Sequence, residues 1–206
     1  MQLVKAYSGD LQKLGETYKF VFIGILLAMI GSWSAIQFVT LIVGPIFLAL
    51  ALLELALVIA FVFAKKPALY YAFTFLTGVT LVPLFEKLIQ DGSGNVIGLA
   101  FSATTIIAGG LTYYATTTKK NFLGMGTFLF WALIGLLVMM VLNLFVGSSL
   151  LSLGLSYAAV VLFSFFMIHD TQQVLHTDIT PIEAAMGLYL DILNMFVALL
   201  RILSDD

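Results

Sequence analysis

The sequence contains no cysteine and only two histidines. Without cysteine there is no disulfide, no thiolate nucleophile and no cysteine metal site. His169 and His176 are the only imidazoles, and two imidazoles without supporting ligands are weak evidence for a metal centre. No Ser-His-Asp set and no HExxH motif is visible, so we do not expect an enzyme or a bound organic cofactor.

Charge is also scarce. Only 10% of the residues are charged, 62% are hydrophobic and the mean hydropathy is +1.11. A soluble domain has about 25% charged and about 45–50% apolar residues, so the composition indicates a polytopic membrane protein whose first partner is the lipid bilayer. The net charge of −2 and the lack of a basic patch argue against nucleic acid as a partner.

Long apolar runs alternate with short polar or Gly/Pro breaks along the chain. A transmembrane helix needs about 20 mostly apolar residues. The runs predict an all-α protein in which residues 1–206 form one domain and sequential helices are antiparallel neighbours. The seven predicted spans are 20–43, 46–64, 68–89, 96–116, 122–146, 150–170 and 182–203.

The first 19 residues are too polar for a cleavable signal peptide. Apolar side chains recur there at helical spacing from Leu3 to Tyr18, which predicts a short cytoplasmic or interfacial helix before the first span. Seven of the nine basic residues fall on one side of the predicted spans, and only Lys87 and Arg201 fall on the other. The positive-inside rule then places the N-terminus in the cytoplasm.

Two acids stand in the last two apolar segments, Asp170 near the end of the sixth and Asp191 within the seventh. Thr180, Pro181 and Glu183 have the pattern of a capping box with Pro at the first helical position, so the last helix should begin at Pro181. Asp191 then lies about 15 Å along that helix.

If the sixth helix runs on to about His176, Asp170 lies about 9 Å from its end and within about 6 Å of the depth of Asp191. Two carboxylates in a poorly solvated site cannot both ionise cheaply, so we expect them to share a proton. The alternative is that Asp170 is a solvated acid at a helix end and that Asp191 caps a neighbouring helix.

Four further charges are candidates for buried pairs. Glu54 lies midway along the second span, and its alternative role is a structural hydrogen bond to a nearby helix. Lys65 follows on the same helix face, and its alternative is snorkelling to the headgroups. Arg201 in the last helix needs an acid, and Glu54 and Glu86 compete for it on estimated depth.

The run AAMGLYLDILNMFVALLRIL, with Asp170 twenty-one residues before Asp191, resembles the Bax inhibitor-1 family of membrane proteins. The resemblance extends more loosely to the acid in the second span, the lysines after the second and fourth spans, and Asn143-Leu-Phe145. The chain's size and lack of cysteine are similar to a bacterial member, which would lie in the inner membrane.

The resemblance implies seven helices, with the last one central between two three-helix layers. It implies a pH-sensitive calcium leak in which Asp170 and Asp191 match the family's di-aspartyl sensor. Lys65 matches a basic residue that engages Asp170, while Glu54 and Arg201 match a further charged pair.

Two functions therefore compete. In the first, a protonated acid pair holds a cation path shut, and deprotonation separates Asp170 and Asp191 and offers their oxygens to Ca²⁺. In the second, the protein binds and regulates a membrane protease or another membrane protein without transporting ions. Calcium flux into liposomes separates the two.

Overall fold

The computed structural model describes the backbone of residues 2–205 and the side chains of residues 10–205. Within these residues the chain forms seven long α-helices and no β-strand, and each helix is long and apolar enough to cross a membrane. The predicted all-α class and the seven spans are confirmed. The helices are α1 Gln2–Ala35, α2 Gly44–Ala64, α3 Pro67–Gln90, α4 Asn95–Thr117, α5 Gly126–Val146, α6 Ser149–His176 and α7 Pro181–Leu203.

The helix ends follow local chemistry. A proline occupies the first turn of α2, α3 and α7, where the missing N–H has no helical partner in any case. Gly147 closes α5 with φ +67°, and Lys65 closes α2 with φ +51°, the left-handed conformation that ends many helices. Lys65 is the only residue other than glycine with a positive φ in the described chain.

The predicted division between a short interfacial helix at 1–19 and a separate first span is wrong. One continuous helix, α1, runs from Gln2 to Ala35, and a 3₁₀ turn, Ile36–Leu41, follows it. Polar residues alone do not end a helix, and no proline interrupts this stretch. At 1.5 Å per residue, α1 is about 50 Å long.

The short loops predicted that each helix packs against its neighbours in sequence. The structure confirms this for some pairs of helices and not for others. The first helix packs extensively against α3 rather than α2, and α4 packs against α6 rather than α5. Sequential packing holds for α2 with α3, α5 with α6, and α6 with α7. The contacts therefore form two groups of three, in which α3 and α6 are the middle helices.

The last helix is central. It packs against α6, α1, α4 and α3, and every residue from 181 to 200 is buried or half-buried. A helix buried all round belongs to the interior of a bundle. By contrast, α2 buries only Phe61, and α5 buries only Leu129 and Leu136. The remaining surfaces of α2 and α5 carry exposed leucine, valine and phenylalanine, as expected of helices that face lipid.

Candidate functional site

The hairpin of α6 and α7 forms as its sequence predicted. The first arm ends at His176 and the second begins at Pro181. The Thr180 backbone N–H donates to Glu183 Oε2 at 3.1 Å, and the Thr180 hydroxyl donates to the same oxygen at 2.5 Å. The capping box fixes the start of α7 and places Asp170 and Asp191 at comparable depth.

Asp191 is 4% exposed, and its Oδ2 atom is buried without a hydrogen-bond partner in the described part of the chain. The Asp170 carboxylate lies against Gly187, one helical turn before Asp191, so the two carboxylates repel one another when both are charged. No hydrogen bond joins the two carboxylates among the described contacts, so the proton that we expected them to share is not visible as a bond between them.

Asp170 is held on two sides. Its Oδ1 atom lies 2.8 Å from Nδ1 of His169, the preceding residue. Its Oδ2 atom lies against the backbone of α7 at Gly187, where any side chain would collide with the carboxylate. Glycine at position 187 therefore allows the acid of α6 to approach α7 one helical turn before Asp191.

His169 is a further member of the site. Its ring is buried, contacts Asp170, and lies 3.1 Å from the side-chain nitrogen of Gln173. Sequence reasoning considered this residue as a weak candidate for a metal ligand and as the next candidate for the pH sensor after the two acids. The structure instead makes it the partner of one acid, and no group of three His, Asp or Glu side chains in the described residues is placed to hold a metal ion.

Three further polar side chains of the bundle, those of Tyr18, Thr112 and Thr171, were not predicted to belong to the site. The Tyr18 hydroxyl of α1 forms a short hydrogen bond with the Thr112 hydroxyl of α4 and lies within range of the Asp191 charge. Thr171, next to Asp170, is fully buried, and its hydroxyl oxygen has no partner among the described residues. Tyr18 belongs to the apolar stripe that the sequence showed, but spacing could not reveal that its hydroxyl bonds to Thr112 of α4.

The family resemblance implied that Lys65 engages Asp170. The structure shows no such contact in the described residues. The Lys65 ammonium forms an ion pair with Glu183, and the Lys65 side chain is 58% exposed whereas that of Glu183 is 19% exposed. Lys65 ends α2, and Glu183 lies in the first turn of α7, so the pair joins two helix ends at the surface of the bundle. Glu183 therefore serves the capping box and the ion pair at once.

Two further side chains, those of Lys13 and Gln172, form hydrogen bonds at the same end of the bundle. The Lys13 ammonium of α1 donates to the Thr177 carbonyl in the α6–α7 turn at 2.6 Å. The Gln172 side chain accepts from the Phe122 N–H at 2.7 Å and donates to the Lys120 carbonyl at 2.8 Å. These bonds connect the hairpin to α1 and to the α4–α5 loop.

The pairing of Glu54 with Arg201 is not present. Glu54 Oε1 accepts a hydrogen bond of 2.5 Å from the Thr80 hydroxyl of α3, which was the alternative role considered for this acid. Thr77, one turn earlier, bonds to the hydroxyl of Tyr189 on α7 at 2.6 Å. A polar strip thus crosses from α2 through α3 to the central helix.

Glu86, the other acid proposed for Arg201, accepts a hydrogen bond of 2.9 Å from Gln90 one turn later. Among the described residues no carboxylate lies within 4.0 Å of the Arg201 guanidinium, and Arg201 is exposed. The rise per residue gives the height of each charged residue along its helix but not the direction in which its side chain points around the helix. Height alone therefore made Glu54 and Glu86 both look like possible partners of Arg201.

The fold and the site define a polytopic α-helical membrane protein whose central helix carries a buried acid beside a second acid. The chain belongs to the Bax inhibitor-1 family, because the family model described as "Inhibitor of apoptosis-promoting Bax1" matches residues 12–206. The resemblance drawn from the C-terminal hairpin is thereby confirmed.

Several relatives are similar over most of the chain. An uncharacterised protein of Campylobacter jejuni is 37% identical over 200 residues, covering 92% of this chain and 87% of the relative. The inner membrane protein YbhL of Escherichia coli is 28% identical over 227 residues, covering 98% and 95%. The modulator of FtsH protease YccA of Escherichia coli is 30% identical over 135 residues, covering 65% and 62%. The family and these relatives support a regulatory or channel-like role in a membrane.

Proposed function

We propose that the protein is a pH-sensitive calcium leak of the bacterial inner membrane, gated by Asp170 and Asp191. The observation that carries the proposal is the burial of Asp191 on the central helix, with an unpartnered carboxylate oxygen and a second acid within electrostatic range. An acid in such a position costs free energy unless a proton or a cation compensates its charge.

In the closed state, one proton is held by the acid pair. The proton removes the repulsion between Asp170 and Asp191 and allows α6 and α7 to stay packed. Because closure takes up a proton, it is favoured as the pH falls, and the leak rises as the pH rises.

In the open state, both acids are ionised and repel one another. Calcium is the substrate that passes, and Asp170 and Asp191 supply two of the six to eight oxygens that the ion needs, with water supplying the rest. In the described residues these acids form no group of three His, Asp or Glu side chains placed to hold a metal ion, which fits an ion that passes through rather than one that is stored.

The cytoplasmic end of the bundle steadies the hairpin. With the N-terminus in the cytoplasm, as the basic residues favour, the Lys65–Glu183 pair and the Lys13–Thr177 bond both lie at that end. These bonds keep the turn between α6 and α7 in place while the acids separate. In this proposal Lys65 acts through Glu183, and not through Asp170 as the resemblance implied.

The test is calcium flux in proteoliposomes, expressed as the ratio of the flux at about pH 8 to that at about pH 6. The wild type should give a ratio above one, because closure binds a proton. Asp170→Asn and Asp191→Asn should each bring the ratio close to one, since neither variant can form an acid pair.

The flux level distinguishes the variants further. Asparagine can donate a hydrogen bond to the remaining acid and should favour closure, whereas alanine at either position cannot and should favour opening. If both asparagine variants keep the wild-type ratio, the shared proton is not the sensor. His169, the titratable side chain bonded to Asp170, then becomes the candidate.

A second function is favoured by one specific finding, the similarity to YccA, a modulator of FtsH protease. In that function the protein binds a membrane protease or another membrane protein and does not conduct ions. Absence of flux in proteoliposomes at every pH, together with an altered rate of membrane-protein degradation when the chain is removed from cells, would support this function over the leak.

A further inference from the structure

A cavity of about 490 Å³ lies away from the acid pair, between α1, α3, α4 and α7. We call it the lateral slot. It exists because α3 and α4, although consecutive, touch over only a small area. Its walls include the residues Ala28, Trp33, Phe85, Gly98, Thr105 and Phe196.

The walls of the lateral slot are apolar in practice. The serine and threonine hydroxyls that line it donate to the backbone of their own or a packed helix: Ser32 to Gly78 at 2.8 Å, Thr104 to Ala100 at 2.7 Å, and Thr105 to Phe101 at 2.8 Å. Their protons are therefore not offered to an occupant. Such a lining suits a hydrocarbon better than water or an ion.

The lateral slot opens towards lipid. Trp33 lines it and is 79% exposed, and Met29, Ile36 and Phe101 line it and are also exposed. Along α3 it extends from Leu81 to Ile89, about 12 Å, and along α1 to the start of the 3₁₀ turn, from Ile25 to Ile36, about 16 Å. One leaflet of hydrocarbon is about 15 Å thick, so the length matches one acyl chain.

An acid, Glu86, lies at the end of the lateral slot that is next to the α3–α4 turn, and we call this end the mouth. Glu86 and Ile89 line it near the end of α3, and Ile97 lines it near the start of α4, at the level where the α3–α4 turn meets the headgroups. Lys87, the next residue along α3, is not among the lining residues. Glu86 is bonded only to the neutral amide of Gln90 among the described residues, so its charge is not neutralised by a cation there.

We propose that the lateral slot binds one acyl chain of a phospholipid whose headgroup carries a primary ammonium, as in phosphatidylethanolamine. The chain fills the apolar walls, and the ammonium pairs with the Glu86 carboxylate at the mouth. A lipid with an anionic headgroup meets the same carboxylate with repulsion and is disfavoured.

The chain contains two tryptophans, Trp33 at the slot and Trp131 on the exposed face of α5. In a Trp131→Phe background, the fluorescence of Trp33 alone is quenched by bromine on the acyl chains of nearby lipids. The protein is placed in phosphatidylcholine vesicles that contain either brominated phosphatidylethanolamine or brominated phosphatidylglycerol, each at the same mole fraction.

Quenching should report a relative affinity about two- to fivefold in favour of phosphatidylethanolamine, which corresponds to about 0.4–1 kcal/mol, the range of an exposed ion pair. Glu86→Gln should reduce that ratio to about one. Equal quenching by the two lipids in the Trp131→Phe protein, or stronger quenching by phosphatidylglycerol, would overturn the proposal.

A matched pair of variants tests the cavity itself. Gly98 lines the lateral slot and Gly109 lies on the same helix outside it, and at both positions a side chain would enter open space. Gly98→Leu should fill the slot and abolish the preference for phosphatidylethanolamine, while Gly109→Leu should preserve it. If the two leucine variants behave alike, the lipid does not bind in the slot.

Discussion

Asp191 is an ionisable side chain in a buried environment that does not compensate its charge. It is an acid on the central helix, and one of its oxygens meets no donor in the described structure. The cost of such a group is several kcal/mol when its charge is not compensated. Local conflicts of this kind are expected at functional positions rather than in structural cores.

The charge of Arg201 is expected not to be paired with Glu54 or Glu86. Because it is exposed, and because Glu54 and Glu86 are bonded to Thr80 and Gln90, no acid should depend on its charge. Double-mutant cycles of Arg201→Gln with Glu54→Gln and with Glu86→Gln should give coupling energies of about zero in the stability of the detergent-solubilised protein. A coupling of about 1 kcal/mol or more with either acid would show that the pair forms.

Glu183 should matter more to stability than its partner Lys65. Glu183→Ala removes the capping box and the ion pair together and should cost about 0.5–2 kcal/mol, the range for losing a helix cap. Lys65→Met removes only a largely exposed pair and should cost less than about 1 kcal/mol.

Glu183→Gln is the matched control for this comparison, because glutamine keeps the capping geometry and loses only the charge. Its unfolding free energy should equal that of Lys65→Met. If glutamine is as damaging as alanine, the ion pair rather than the cap stabilises the start of α7.

At the scale of helices, the tightest contact is the crossing of α1 and α3. A side-chain carbon at Gly31 would collide with the Phe75 carbonyl, and one at Gly78 would collide with the backbone of Ala28. The Ser32 hydroxyl also donates to the Gly78 carbonyl at 2.8 Å. Small residues that let two backbones meet, and a hydroxyl bridging them, are the usual means of association between helices in lipid.

Gly78→Ala should therefore separate α1 from α3 and destabilise the protein by about 1–3 kcal/mol, the range for an overpacked core. Gly109→Ala is the control, since a side chain at Gly109 meets nothing within 4 Å, and it should be neutral or stabilising by about 0.5–1 kcal/mol. Unfolding in mixed detergent measures both. Equal stability of the two variants would show that the crossing adjusts freely.

The elements could be predicted from sequence because their signals are local. Thr180, Pro181 and Glu183 fix the start of α7, and the short breaks between apolar runs delimit the other helices. The continuity of α1 was missed because a change from polar to apolar side chains leaves the helical backbone intact. The partners of Lys65 and Arg201 were missed because height along a helix does not give direction around it, which tertiary packing decides.

At the scale of the whole molecule, seven helices imply that the two termini lie on opposite sides of the membrane. The basic residues favour a cytoplasmic N-terminus. A reporter fused after Asp206 should therefore be active outside the cytoplasm, and one fused before Met1 should be active inside. If both fusions report the cytoplasm, one helix does not cross.

The length of α1 has a mechanical consequence. The backbone of residues 2–9 forms the first two turns of α1, about 12 Å of the same continuous helix. Lys13, one turn further, is bonded to the turn between α6 and α7, and α1 packs on α7 itself. Force applied by another protein to the first two turns of α1 is thus transmitted along a stiff helix to the hairpin that carries Asp170 and Asp191. In the proposed function, a partner protein bound to the start of α1 and a proton bound by the acids would therefore both act on the α6–α7 hairpin.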